Sequence, residues 1–208
     1  MIGTDKFSWP QLTQGEFESF AKPSLLKVFN QPCIYFAPFT SKMTSRMIAY
    51  CEIHPEEKFL DTVIDIALKF GEKGFYFSYV ELVGQEIEYP GLSRKYDKSE
   101  TWFVPFEAIQ DYFKLYFSPG HVIFSSLGLW GIYVDEYDFL VIGGVSEFMD
   151  EIKEKLPYLD KQYHEFIEDW KNNQLKLGAK IDWIPKLLEH VYGSERARQI
   201  VEEHSLKT

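Results

Sequence analysis

Between His121 and Leu156 the apolar and polar positions alternate in blocks that read as a scaffold. Three short runs, from His121 to Ser126, Trp130 to Val134 and Phe139 to Ile142, are rich in β-branched and aromatic residues and are bounded by turn formers. That pattern predicts three strands of a central sheet. The short acidic link Asp135-Glu136-Tyr137-Asp138 favours an antiparallel hairpin between the second and third. Gly143-Gly144 would turn the backbone into a helix capped by the Ser146 hydroxyl, with Phe148 and Ile152 on one face.

Upstream, Thr13 precedes Glu16, Phe17 and Phe20, as at a capped helix start. Pro23 interrupts this pattern and is expected to open a second short helix, Ser24 to Phe29. Cys33-Ile34-Tyr35-Phe36 reads as a first strand closed by Pro38. Residues 40–53 fit either a helix with Met43, Met47 and Ile48 or an extended segment. From Pro55, residues Phe59, Leu60, Val63, Ile64, Ala67 and Leu68 form a wide helical stripe that Gly71 and Gly74 end. Phe75 to Val80 is an aromatic strand with little polar alternation, so it is expected to be buried on both faces.

Residues 83–102 lack periodicity and form a long connection, a length at which loops tend to be functional or disordered. Tyr89, Arg94, Tyr96 and Trp102 within it are residue types favoured at contact sites. Pro105 opens a helix, 105–117, with Phe106, Ile109, Phe113 and Tyr116 on one side. Beyond Pro157 the chain is helical: Leu159, Tyr163, Phe166, Ile167 and Trp170 form one stripe, and Ile184, Leu187, Leu188 and Val191 another. Ser194 is a candidate cap for a last helix bearing Ala197, Ile200 and Val201.

The 208 residues therefore predict a single α+β domain. Its core, 1–156, holds a mixed or mainly antiparallel sheet of about five strands, and a helical C-terminal section, 157–208, packs on the same domain. An apolar share of 45% and an aromatic share of 17%, with eighteen Phe and thirteen Tyr, are ample for a packed interior. The formal net charge is −10, with −7 over residues 1–146 and −3 over 147–208, and no basic cluster is present. Binding to nucleic acid or to an anionic membrane surface is therefore not expected. The electrostatic complement of such a chain is a basic protein. Two cysteines, Cys33 and Cys51, make no disulfide framework, and with no apolar run of membrane-spanning length the expected location is cytoplasmic.

The search for chemistry returns little. The histidines 54, 121, 164, 190 and 204 belong to no catalytic motif. His164 with Glu168, or Glu165 with Asp169, stand four apart on a helix and could face one metal ion, but further ligands would be needed, so neither metal nor cofactor is expected. No Gly-x-Ser-x-Gly elbow is found, and the Gly143-Gly144 pair lacks the longer glycine pattern and lysine of a phosphate loop. The leading expectation is a non-catalytic, acidic cytoplasmic protein that recognises, neutralises or regulates a basic partner. An immunity-like role against a toxin is one concrete form. A second reading is a small-molecule enzyme or ligand-binding domain with an aromatic pocket of Tyr76, Tyr79, Trp102, Trp130 and Tyr133, served by His121 or Glu136. A third is an oligomeric structural protein joined through the C-terminal helical hairpin. The candidate binding residues are Tyr89, Arg94, Tyr96, Trp102, Trp130 and Tyr133.

Overall fold

The computed structural model describes residues 9–34, 36–50, 55–79, 101–113, 120–135 and 139–206, without the side chains of 31–34 and 79. It is an α+β structure built on a six-stranded antiparallel sheet. The strands are β3 (Ser45–Tyr50), β4 (Gly74–Tyr79), β5 (Thr101–Pro105), β6 (His121–Ser125), β7 (Trp130–Val134) and β8 (Phe139–Gly144), in the order β3-β8-β7-β6-β4-β5. A separate ribbon pairs β1 (Phe29–Ile34) with β2 (Ala37–Phe39). The three expected central strands and their hairpin are present, and within the ambiguous 40–53 segment residues 45–50 form the edge strand β3, while 51–53 lie outside the described residues.

Because successive side chains of a strand point to opposite faces, the sheet sorts its apolar residues into two cores. One face presents Met47, Phe75, Phe77, Trp102, Val104, Ile123, Trp130, Ile132, Leu140 and Ile142 to the helices α3 (Glu57–Lys69), α4 (Ile109–Tyr112) and α5 (Ser146–Lys155). Of the stripe read from residue 59 onward, Phe59, Leu60, Val63, Ile64 and Ala67 face this layer while Leu68 is exposed, and Gly71, at φ 84°, ends α3 as a left-handed residue. The other face presents Ile48, Tyr76, Val122, Phe124, Tyr133, Phe139 and Val141. It is covered by the N-terminal helices, the ribbon and the helices α6 (Gln162–Leu177), α7 (Ile184–Tyr192) and α8 (Ser194–Glu203). Each side chain such as Leu187 or Leu188, fully buried here, contributes roughly 1.5–3 kcal/mol by leaving water.

Several local expectations are revised. The Thr13 capping box is present, with Thr13 N–H donating to Glu16 at 2.8 Å, and Pro23 stands in the first turn of the second helix as expected, but no break separates the two helices. Helix α1 (Gln14–Glu16) runs through a π turn (Phe17–Ala21) into α2 (Lys22–Val28). Across this wider turn the Lys22 N–H donates to the Phe17 carbonyl, one residue before Pro23, which has no amide to donate. Neither expected serine cap forms: Ser146 Oγ lies 3.0 Å from Thr44 Oγ1, and Ser194 Oγ donates to Glu189. Gly143 and Gly144 lie in β8 rather than in a turn. The helix expected over 105–117 is a 3₁₀ turn, Phe106–Ala108, followed by the single turn α4; residues 114–119 are outside the described residues.

Both sheet edges are covered by side chains or a short bridge. At β3, Ile48 N–H donates to the Tyr192 hydroxyl at 3.3 Å and Tyr50 N–H to Gln162 Oε1 at 3.1 Å. At β5, Leu12 N–H donates to the Thr101 carbonyl at 2.8 Å, beside a bridge between Gln11 and Trp102. Unpaired edge groups invite pairing with other chains, and these contacts occupy two amides of β3 and a carbonyl of β5.

Candidate functional site

Where β3 ends against the first turns of α6, a solvent-open cleft of about 430 Å³ is lined by Tyr50, His164, Glu165, Glu168 and Asp169. The register of α6 creates it. Tyr163, Phe166 and Ile167 turn inward to the sheet, which leaves the intervening positions 164, 165, 168 and 169 on the outer face. The Tyr50 amide, held by Gln162, fixes the strand end beside that face. Asp160 precedes α6 in the 3₁₀ turn Pro157–Lys161, which packs against β3. In the same turn burial, and then the charge of Glu56, push the Tyr158 phenol up.

A chain of hydrogen bonds stands behind the cleft. His164 Nδ1 lies 2.8 Å from His204 Nε2, and His204 Nδ1 lies 3.1 Å from Glu168 Oε1. Lys171 Nζ donates to the same carboxylate oxygen at 3.0 Å. The hydrogen bonds from Lys171 and then His204 hold the Glu168 carboxyl below its ordinary range, so it stays ionised as an acceptor. Among the described residues no three or more His, Cys, Asp or Glu side chains are grouped to hold a metal ion. The contact between the two imidazoles is a hydrogen bond between rings on α6 and at the end of α8.

A second acidic surface lies on α3, where Glu57, Asp61 and Asp65 stand at four-residue intervals and are exposed. Burial first, then repulsion from Glu57 and Asp65, raises the Asp61 carboxyl. Like charges at this spacing oppose one another, an opposition that a nearby cation relieves.

The residues singled out from the sequence are placed differently. Tyr89, Arg94, Tyr96 and Glu136 lie outside the described residues, as does the Tyr79 side chain. Trp102 is in β5, not in a loop, and packs on Phe77 in the α3-side core. Trp130 and Tyr133 are both fully buried. Three residues apart on one strand, they point to opposite faces: Trp130 stacks on Phe148, while Tyr133 faces the α6 side and donates to Asp135 Oδ2 at 2.9 Å. Tyr76 shares the Tyr133 face, so these aromatics line no common pocket. His121 is buried against Phe77, with Nε2 2.8 Å from the Tyr112 hydroxyl. The apolar sides of α7 and α8 are buried within this chain, α7 against β3 and α8 against α7.

The sequence reading saw the His164–Glu168 pair but not Tyr50 or His204. Helical spacing reveals neighbours on one helix; the contact of residue 204 with residue 164 depends on how α8 lies on α6. Compared with protein-family models, curated proteins and solved structures, the chain matches none. Among the described residues no helix is long and apolar enough to cross a membrane.

Proposed function

We propose that the protein is a non-catalytic binding or regulatory protein that engages a basic protein partner through the acidic edge formed by α6 and the end of β3. The observation that carries this reading is the lining of the cleft: three carboxylates, a histidine and a tyrosine, without a lysine or arginine among them. Such a surface attracts ammonium and guanidinium groups over distance and offers a tyrosine face and carboxylate acceptors on contact. The formal net charge of −10 acts in the same direction. Neutralisation of a cationic toxin, in the manner of an immunity protein, is one form of this function.

The test is affinity capture from the source cell lysate at low and raised salt, with the wild-type chain and a Glu165→Gln/Asp169→Asn variant. The expected result is one basic protein recovered stoichiometrically at low salt, weakened by salt, and bound about tenfold more weakly by the variant. Both substitutions lie on the exposed side of α6, so circular dichroism should show an intact fold. Undiminished capture by the variant would move the contact away from the cleft. Recovery of no basic protein would overturn the reading.

A further inference from the structure

We propose that His164 and His204 form a one-proton switch in the wall of the cleft: the pair takes up a single added proton, and with it one positive charge, while the two rings stay joined. Glu168 is ionised and can only accept, so the His204 nitrogen facing it, Nδ1, carries a proton. A neutral His204 then has a bare Nε2. The 2.8 Å contact is therefore made by His164 Nδ1–H donating to that nitrogen. The network thus assigns both rings the Nδ1–H tautomer and leaves His164 Nε2 without a proton on an exposed side chain of the cleft lining.

The first added proton has a place to go that breaks nothing. On His164 Nε2 it leaves both existing hydrogen bonds intact. The charges around it on α6 are Glu165, Glu168 and Asp169, with Lys171 on Glu168. From α8, Arg196 and Glu203 pair with each other at 3.3 Å, and Asp160 adds a further acid from the preceding 3₁₀ turn. The remaining titratable neighbours, Tyr50 from β3, Tyr163 from α6 and Tyr192 from α7, are phenols; burial pushes that of Tyr192 far up, so it stays neutral. A second proton would have to sit on His204 Nε2, setting two N–H groups and two cations against each other across 2.8 Å. That proton separates the rings, and with them the end of α8 from α6.

The effect on binding rests on the reading of the cleft as the partner surface. One added charge lowers the attraction for a cationic group by an amount typical of an exposed ion pair, about two- to fivefold in affinity. The experiment combines long-range ¹H–¹⁵N correlation of the imidazoles with calorimetry of N-acetyl-hexalysine amide, whose six side-chain ammonium groups keep their charge between pH 8 and 5.5. His164→Gln and His204→Gln variants assign the signals. At pH 8 both rings should be Nδ1–H tautomers. At pH 5.5 the pair should hold one extra proton, with the His204 Nδ1–H retained.

Acetyl-hexalysine affinity should fall about two- to fivefold over that range, and the fall should disappear in the His164→Gln/His204→Gln double variant. An Nε2–H tautomer at either ring at pH 8, or both rings becoming cations in one step with α8 in place, overturns the switch. Correct tautomers without hexalysine binding leave the switch standing and remove the reading of the cleft. Binding with the wrong tautomers does the reverse.

Discussion

Glu72 sits between the end of α3 and the start of β4, and no periodicity marks it, yet it is a buried carboxylate with four donors. It accepts from Ser125 Oγ at 2.9 Å, Ser126 N–H at 2.7 Å, Ser126 Oγ at 3.0 Å and Trp130 Nε1 at 2.8 Å. This set ties the end of α3 to the turn between β6 and β7. Glu72→Gln presents an NH₂ group to donors, so about 2–4 kcal/mol of stability should be lost in urea unfolding. At His190 the sign of a pH effect can be worked out. Burial, then the charge of Arg46, lowers its titration from the ordinary 6.5 to about 4, and Phe39 N–H uses its Nε2 as an acceptor at 3.2 Å. The unfolded chain therefore binds more protons between these values. The contribution is fully present above about pH 6.5 and is lost as pH falls toward 4. With the ring part exposed, the amount is about 1–2 kcal/mol. Unfolding midpoints of His190→Gln should be flatter across this window than those of wild type. The aromatic count of the sequence pointed to a packed interior, but the single pocket expected for Trp130 and Tyr133 overlooks strand parity, which sends residues 130 and 133 to opposite faces. What the sequence could not show is which buried acid would meet the Trp130 indole.

At the level of elements, two glycines decide how the ribbon meets the sheet. Gly131 and Gly143 are register partners on β7 and β8, and together they leave a flat seat on the α6 side. The Phe29 and Phe39 rings, stacked at 5.1 Å, lie over it. A Cβ on Gly131 would come within 2.4 Å of Val28 Cγ1 and 2.8 Å of Phe29. Gly131→Ala should therefore cost about 1–3 kcal/mol. Gly15→Ala, in a helical turn with nothing within 4 Å of the new Cβ, should be neutral or stabilise by up to about 1 kcal/mol. Urea curves of the two variants test the contrast. On the sheet edge, Tyr192→Phe removes the acceptor of the Ile48 amide, and hydrogen exchange at that amide should quicken while the rest of β3 changes less. An isolated glycine in an apolar run signals close backbone approach, so the crowding at Gly131 was partly legible. The same sign was ambiguous at Gly143-Gly144, which reads equally as a turn.

Across the whole molecule the C-terminal helices are one layer of the protein. They bury the α6-side core, hold the β3 edge through Gln162 and Tyr192, and supply the acidic cleft. Arg46 joins them to the sheet, donating to the His190 carbonyl near the end of α7 and to the Thr40 carbonyl at 3.0 Å. A chain ending at residue 161 would expose Ile48, Phe139 and Val141, so it should lose cooperative unfolding and near-ultraviolet dichroism. Composition determined the acidic balance, and periodicity the α+β class, the central hairpin and the stripes of α3, α6 and α7, because these patterns depend on residues close together in sequence. Strand order, the two-core division of the aromatics, the Glu72 hub and the meeting of His164 with His204 were decided only in the tertiary structure. Each requires contact between segments tens of residues apart, where local spacing carries no information about which faces come together.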